Sequence, residues 1–222
     1  GAIAIGTLTR NAAVLRDAAL ARHQPLVTEA IAQVAHPQIR NRGTLGGNLA
    51  HADPASEMPA VMLALGATLV VQSTRGERQI AARDFFRGVF TTALEPDEAL
   101  VEIRLPAHAR GTGTAFLEVA RRAGDYAMMG VAAMVTVGAD GRCTDARLAF
   151  CGAGETPGLA SVAAKALIGE RIDVATATAA GATAQGEIDP MGNVHATVAY
   201  QRHLAGVLTR RALIAAAQRA LA

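Results

Sequence analysis

The regular hydrophobic patterning of the chain lapses at Pro106 and through residues 107–114, and this lapse constrains the fold more than any other feature. Before it, helix-like and strand-like patterns alternate; after it come three strand-like segments and then helices. A chain of 222 residues exceeds the commonest domain size of about 100–150 residues, so the lapse reads as a boundary between a domain over 1–107 and another over 108–222.

In the first part, the alternation Ala2-Ile3-Ala4-Ile5 predicts a strand over 1–7, and Thr9, Arg10 and Asn11 supply cap-type side chains for a helix over 12–21. Leu26, Val27, Ala30, Ile31 and Val34 recur at helical spacing, predicting an amphipathic helix over 25–35 that ends near His36-Pro37. Residues 38–53 are polar and glycine-containing and read as a loop. Pro54 and the acid Glu57 favour a helix running to about Leu65. Segments 67–72 and 76–81, joined at Arg75-Gly76, and 100–105 predict strands that pair antiparallel.

Beyond the lapse, residues 114–119, 130–137 and 145–151 predict a small antiparallel three-stranded sheet, with Gly138-Ala139-Asp140-Gly141 as a hairpin turn. Helices follow over 159–168, 174–185 and 196–221, the last with an apolar stripe through Leu204, Val207, Leu208, Leu213 and Ile214. The fold class is therefore α+β. Hydrophobic residues make up 51% of the chain and aromatics 3%, so the core is expected to rest on many small contacts.

Several classes of function fall away. No apolar run approaches the roughly 20 residues a membrane-spanning helix needs. The net charge of +2 is small and the arginines are scattered, without the basic stripe and interleaved aromatics of a nucleic-acid surface. Cys143 and Cys151 match neither a redox pair nor a zinc or iron-sulfur cradle, and read as buried thiols in a reducing, cytoplasmic setting. The six histidines form no ligand-like pair, so no metal site is expected, and no Ser-His-acid or Cys-His arrangement is legible, so no catalytic residue is assigned. Gly152-Ala153-Gly154-Glu155-Thr156-Pro157-Gly158 imitates a dinucleotide fingerprint, but Pro157 stands where the third glycine is required and no βαβ unit surrounds it. It reads as a turn.

The most informative segment is Ile39-Arg40-Asn41-Arg42-Gly43-Thr44-Leu45-Gly46-Gly47-Asn48-Leu49-Ala50-His51-Ala52-Asp53-Pro54. Glycines let backbone amides approach a ligand without an intervening Cβ, and successive N–H groups in such a loop suit phosphate or flavin oxygens. Thr44 and Asn48 add side-chain hydrogen-bonding groups. The bland alternative is a tight turn.

Extended through Ala55-Ser56-Glu57, this string resembles the second flavin-contacting segment of the medium subunits of carbon monoxide dehydrogenase and xanthine dehydrogenase-type enzymes. The likeness continues through Asp84-Phe85-Phe86, residues 98–106, residues 118–126 and Tyr200-Gln201-Arg202-His203-Leu204, and covers essentially the whole chain.

The resemblance implies a molybdenum-hydroxylase flavoprotein with part of an FAD-binding domain over 1–107 and a flavoprotein C-terminal domain over 108–222. It implies that Thr44, Leu45, Gly46, Gly47 and Asn48 wrap FAD. Glu57 falls where relatives place an acid that hydrogen-bonds the flavin or its ribityl chain, although a helix-start acid is an equal alternative. Leu100 matches a flavin-touching position, against an ordinary core role, and Tyr126 matches a group near the isoalloxazine, against a plain core tyrosine. Leu117 stands where animal xanthine dehydrogenases carry a lysine, a departure toward the bacterial branch.

By the same resemblance, substrate is hydroxylated at a molybdenum-pterin centre on a large subunit, and electrons cross two 2Fe-2S clusters on a small subunit to FAD here, leaving for NAD, a quinone, a cytochrome or oxygen. The assembly implied is a dimer of heterotrimers. A second reading is a structural or assembly module that holds no FAD; a third, an unrelated binding protein. The absence of an initial Met and of a second glycine-rich loop leads to the expectation that an upstream segment of the phosphate cradle is missing. The chain alone is then predicted to hold FAD weakly or not at all, because those hydrogen bonds are forgone. Stoichiometric flavin absorbance after gel filtration would contradict this.

Overall fold

The structure, a computed structural model, describes residues 2–222; Gly1, the first residue of the predicted opening strand, lies outside them. The Ile3/Ile5 alternation forms β1 (Ile3–Gly6). The single helix expected over 12–21 is instead two, α1 (Asn11–Arg16) and α2 (Ala18–His23). Asp17 divides them, because its Oδ1 accepts from the backbone N–H groups of Ala19 and Leu20, both at 2.9 Å. An aspartate that offers this local cap starts a new helix more readily than it continues the old one.

After α3 (Pro25–Gln33), the segment expected as a loop over 38–53 forms two further helices, α4 (Pro37–Arg42) and α5 (Leu45–His51). Pro37 fits the first turn of α4, where no amide is needed, and Thr44 caps α5. The glycines in between masked these starts. Next comes α6 (Glu57–Leu65), every residue of which is buried. A helix that is apolar all round belongs in the middle of a fold, and α6 lies between the two halves of the chain.

The strands β2 (Thr68–Ser73), β3 (Gly76–Ala81) and β6 (Ala99–Leu105) pair antiparallel as predicted, and β1 closes the edge to give the order β1-β6-β2-β3. The registers Leu69↔Ile103 and Leu69↔Ile80 put one apolar face against the helices. A small hairpin of β4 (Phe86–Gly88) and β5 (Thr91–Thr92) lies between β3 and β6.

The second sheet is built from β7 (Thr112–Ala120), β8 (Ala127–Val137) and β9 (Cys143–Cys151), with a fourth, two-residue strand β10 (Gly158–Leu159) at its edge. Leu159, the first residue of the predicted helix over 159–168, thus lies in a strand. Then come α7 (Ser161–Ala166), α8 (Val174–Glu187) and α9 (Val198–Leu221). Thr197 caps α9 by accepting from the Tyr200 N–H at 3.2 Å.

Alternate residues of this sheet enter two different cores. Phe116, Ala132, Met134, Ala149 and Cys151 face α6 and the first half, whereas Val131, Ala133, Val135, Leu148 and Phe150 face α8 and α9. One polar tie between the halves is Glu29 on α3, which pairs with Arg219 on α9 at 2.6 Å and accepts from the Phe116 N–H at 3.1 Å.

The scarcity of rings has a structural counterpart, since the helices approach their neighbours through small residues. A Cβ added at Gly113 on β7 would lie 2.5 Å from the backbone nitrogen of Ala220, and one at Gly181 on α8 would lie 2.5 Å from the Gly206 carbonyl oxygen on α9. Gly113→Ala is therefore expected to destabilise by about 1–3 kcal/mol through overpacking against backbone. Gly186→Ala, where an added Cβ meets nothing within 4 Å, should instead gain about 0.5–1 kcal/mol. Chemical denaturation of the two variants checks the contrast.

Candidate functional site

The site begins with a close backbone approach. The chain leaving β1 runs against the start of α5, where the Thr7 carbonyl accepts from the Gly46 N–H and the Thr9 carbonyl from the Leu45 N–H, both at 2.9 Å. The Asn11 N–H donates in turn to the Gly43 carbonyl at 3.0 Å. Gly46 is required for this contact, because a Cβ there would lie 2.8 Å from the Thr7 Cα and carbonyl oxygen.

The remaining amides are also taken: Gly47 N–H donates to the Thr44 hydroxyl and Asn48 N–H to the Thr44 carbonyl, each at 3.0 Å. The expectation that amides 45–48 face a ligand is therefore corrected. They hold α5 in place, and what this turn presents outward is the exposed backbone of Gly47 and the side chains of Thr44 and Asn48.

Those groups form one wall of a cleft of about 700 Å³, a size that suits a small molecule or part of a larger cofactor. The opposite wall is Val34, Ala35 and His36, between α3 and α4. The turn at Gly124–Tyr126 closes one end. Gly124 has φ +86°, and a Cβ there would meet the His36 ring at 2.5 Å and the Ala35 carbonyl at 2.9 Å, so this turn rests directly on the wall. Arg10 and Arg42 stand at the rim, with the Arg10 guanidinium donating to the Arg42 carbonyl.

The polar groups inside are complementary in kind. Ser56 Oγ donates to Asn48 Oδ1 at 2.9 Å, which leaves the Asn48 NH2 as the part able to face a ligand. Asn11 is buried beneath the rim and its Oδ1 has no hydrogen-bond partner, an acceptor that a ligand donor would satisfy. Glu57, 3% exposed, has its carboxyl pushed up to about 7. Burial is the principal cause, opposed by its own backbone N–H and by Ser56, and reinforced by the charge of Asp53. Near neutrality a large share of Glu57 is thus uncharged and able to donate. Tyr126 is 63% exposed; partial desolvation, then Asp53, raises its phenol above the ordinary range.

Five of the eight residues expected to touch a flavin line this cleft together: Thr44, Gly47, Asn48, Glu57 and Tyr126. Leu45 and Gly46 are buried behind the wall, and Leu100 sits on β6 opposite Val71, packed against the core. Sequence reading missed Asn11, His36, Asp53 and the two rim arginines. Arg10 and Asn11 carry a signal that reads as capping, Arg42 and Asp53 lie within the motif segment without a role of their own, and His36 marks only a helix end. Among the described residues no cluster of three or more His, Cys, Asp or Glu side chains is placed to hold a metal, and no helix is long and apolar enough to cross a membrane.

The chain has relatives among known proteins. Residues 1–108 match the family model of the FAD binding domain in molybdopterin dehydrogenase, and residues 114–216 match that of the CO dehydrogenase flavoprotein C-terminal domain. The chain is 40% identical to the 6-hydroxypseudooxynicotine dehydrogenase complex subunit alpha of Paenarthrobacter nicotinovorans, over 98% of this chain and 74% of that one. It is 36% identical to the carbon monoxide dehydrogenase medium chain of Afipia carboxidovorans, over 98% and 75%. The structure of quinoline 2-oxidoreductase from Pseudomonas putida 86 superimposes with a TM-score of 0.94 at 37% identity, covering all of this chain and 77% of that one.

Thr44→Ala removes the cap that orders the cleft-lining turn and is expected to lower stability by about 1 kcal/mol, while Thr44→Ser retains it. Equilibrium unfolding of both variants decides the matter.

Proposed function

The chain belongs to the FAD-binding medium subunits of the molybdenum hydroxylase family, and from that premise we propose that the cleft between α5 and the 124–126 turn holds the flavin end of FAD and serves as the electron exit of the complex. The observation that carries the reading is convergence: segments 44–48 and 124–126, far apart in sequence, meet with Glu57 around one cavity.

The residues present suit such a ligand. The ring of Tyr126 offers an amphipathic face, the Asn48 NH2 and neutral Glu57 offer donors to carbonyl-type oxygens, and Asn11 Oδ1 offers a buried acceptor for an N–H or hydroxyl. Arg10 and Arg42 at the rim favour the anionic end of a nucleotide. Thr44 and Gly47 shape the wall, and Leu45, Gly46 and Leu100 enter as packing that keeps it in position.

Bound FAD supplies the exchange between one-electron and two-electron carriers. This chain's part is to fix position and polarity, since no side chain of the cleft is arranged as a nucleophile with its base. Electrons arrive from the iron-sulfur clusters of a small subunit that is itself served by a molybdenum-pterin large subunit, and leave to an external acceptor. The complex is a dimer of heterotrimers working in the cytoplasm. Relatives named for a nicotine derivative, carbon monoxide and quinoline share this chain's architecture, which is consistent with substrate choice residing on another subunit.

Gly47→Val in the complete complex tests the reading, because its side chain would displace the Thr44 hydroxyl, 2.8 Å from an added Cβ, and fill the wall. FAD occupancy is expected to fall at least about tenfold, equivalent to ~1.4 kcal/mol in affinity. Substrate should still bleach the iron-sulfur absorbance, while turnover with an external acceptor is lost. Normal flavin content and turnover in this variant would sink the proposal.

A further inference from the structure

Behind the cleft lies a group of acidic side chains that the flavin-binding reading does not use. Across β7, β8 and β9, Glu118 stands opposite Gly130, and Gly130 opposite Cys151. Directly opposed residues in antiparallel ladders share a face, and this face packs toward α6. Gly130 leaves the necessary room, since a Cβ there would lie 2.5 Å from Cys151 Sγ and 3.3 Å from Glu118 Cβ. Glu57 enters from the first turn of α6, held against the same end of β9 by the Gly152 N–H donating to the Pro54 carbonyl at 2.8 Å.

Neither carboxyl has a compensating cation. Among the described residues, neither Glu57 nor Glu118 takes part in any ion pair. Glu118 Oε2 is buried without a hydrogen-bond partner, and Glu57 receives one side-chain contact, from Ser56 Oγ at 3.5 Å. The other titratable groups nearby are the Cys151 thiol on β9, and Asp53 and Tyr126 on the cleft side. Glu29 reaches β7 from α3 but is neutralised by Arg219. Two carboxylates in such a place repel each other and lose their hydration, so states that retain a proton are favoured.

We propose that Glu57 and Glu118 titrate as one coupled carboxyl pair, in which the first to ionise disfavours ionisation of the other, and that Glu57, kept neutral chiefly by its burial on α6, meets the ligand of the cleft as a hydrogen-bond donor. The donor part rests on the flavin-binding reading; the pair itself does not. In support, burial and then the charge of Glu57 push Glu118 up to about 8. The Cys151 thiol is held well above its ordinary range by burial first and then by both acids.

The sign of the pH effect follows. Carboxyls whose values are raised on folding stabilise the fold fully at acid pH, and that contribution is lost as pH rises through about 7 and about 8. Thermal unfolding of the purified chain from about pH 5 to 8.5 therefore shows a falling midpoint in the wild type. Measured against the double variant, Glu57→Gln and Glu118→Gln each show a smaller fall than the wild type, and the two falls together are less than that of the wild type because repulsion within the pair is gone. A wild-type profile that falls no more than that of the double variant, or single-variant falls that sum to the wild-type one, overturns the pair. Should Glu118→Gln not fold, Glu118→Met, uncharged and of similar length, makes the same comparison.

The donor role is read separately, by FAD dissociation from the full-length subunit. Affinity in the wild type should weaken at least about threefold between pH 6 and 8.5 and stay constant in Glu57→Gln, a change of ~0.7 kcal/mol. Wild-type affinity that does not vary with pH overturns that role. Failure of the wild type to bind FAD at any pH sinks the flavin reading instead, and the unfolding profiles still decide the pair.

Discussion

The closeness of Thr7 to Gly46 is the constraint on which the site depends. Two carbonyls of the segment after β1 accept from the first amides of α5, and no side chain fits at Gly46 between them. This bond pair fixes the direction in which α5 leaves, and with it the face that Thr44, Gly47 and Asn48 present. Gly46 thus acts one layer behind the cleft, by letting backbone meet backbone.

A comparable economy of side chains runs through the other half. The second sheet has no solvent face to spare: one side packs on α6 and the other on α8 and α9. Close approach at Gly113, Gly130 and Gly181 replaces the bulk that aromatic residues would provide. The same compactness leaves Glu118 and Glu57 with little water, and it makes their protonation a property of packing more than of local sequence. The cleft and the fold's stability are linked through one residue, because the acid that lines the cleft also belongs to the all-buried helix joining the halves.

Much of the fold was legible from short-range pattern. The alternation of Ile3 and Ile5, the strands around Leu69 and Ile103, the sheet around residue 130 and the apolar stripe of α9 each follow from a period of two or of 3.6. The reading failed where a polar side chain competes for backbone amides. Asp17 splits one predicted helix, and Pro37 and Thr44 open helices inside an expected loop. Caps act over three residues and leave little trace in a hydrophobic period.

The sequence by itself determined the family, through an ordered string of motifs from Ile39 to Leu204, and hence the cofactor class. Tertiary structure alone decided which motif residues reach the cavity, which stand behind it, and which strangers join them. Asn11, His36, Asp53 and Tyr126 meet because the register of β7 on β8 and the packing of α3 against α6 bring distant segments together. That meeting is set by long-range burial and strand register, which no local spacing encodes.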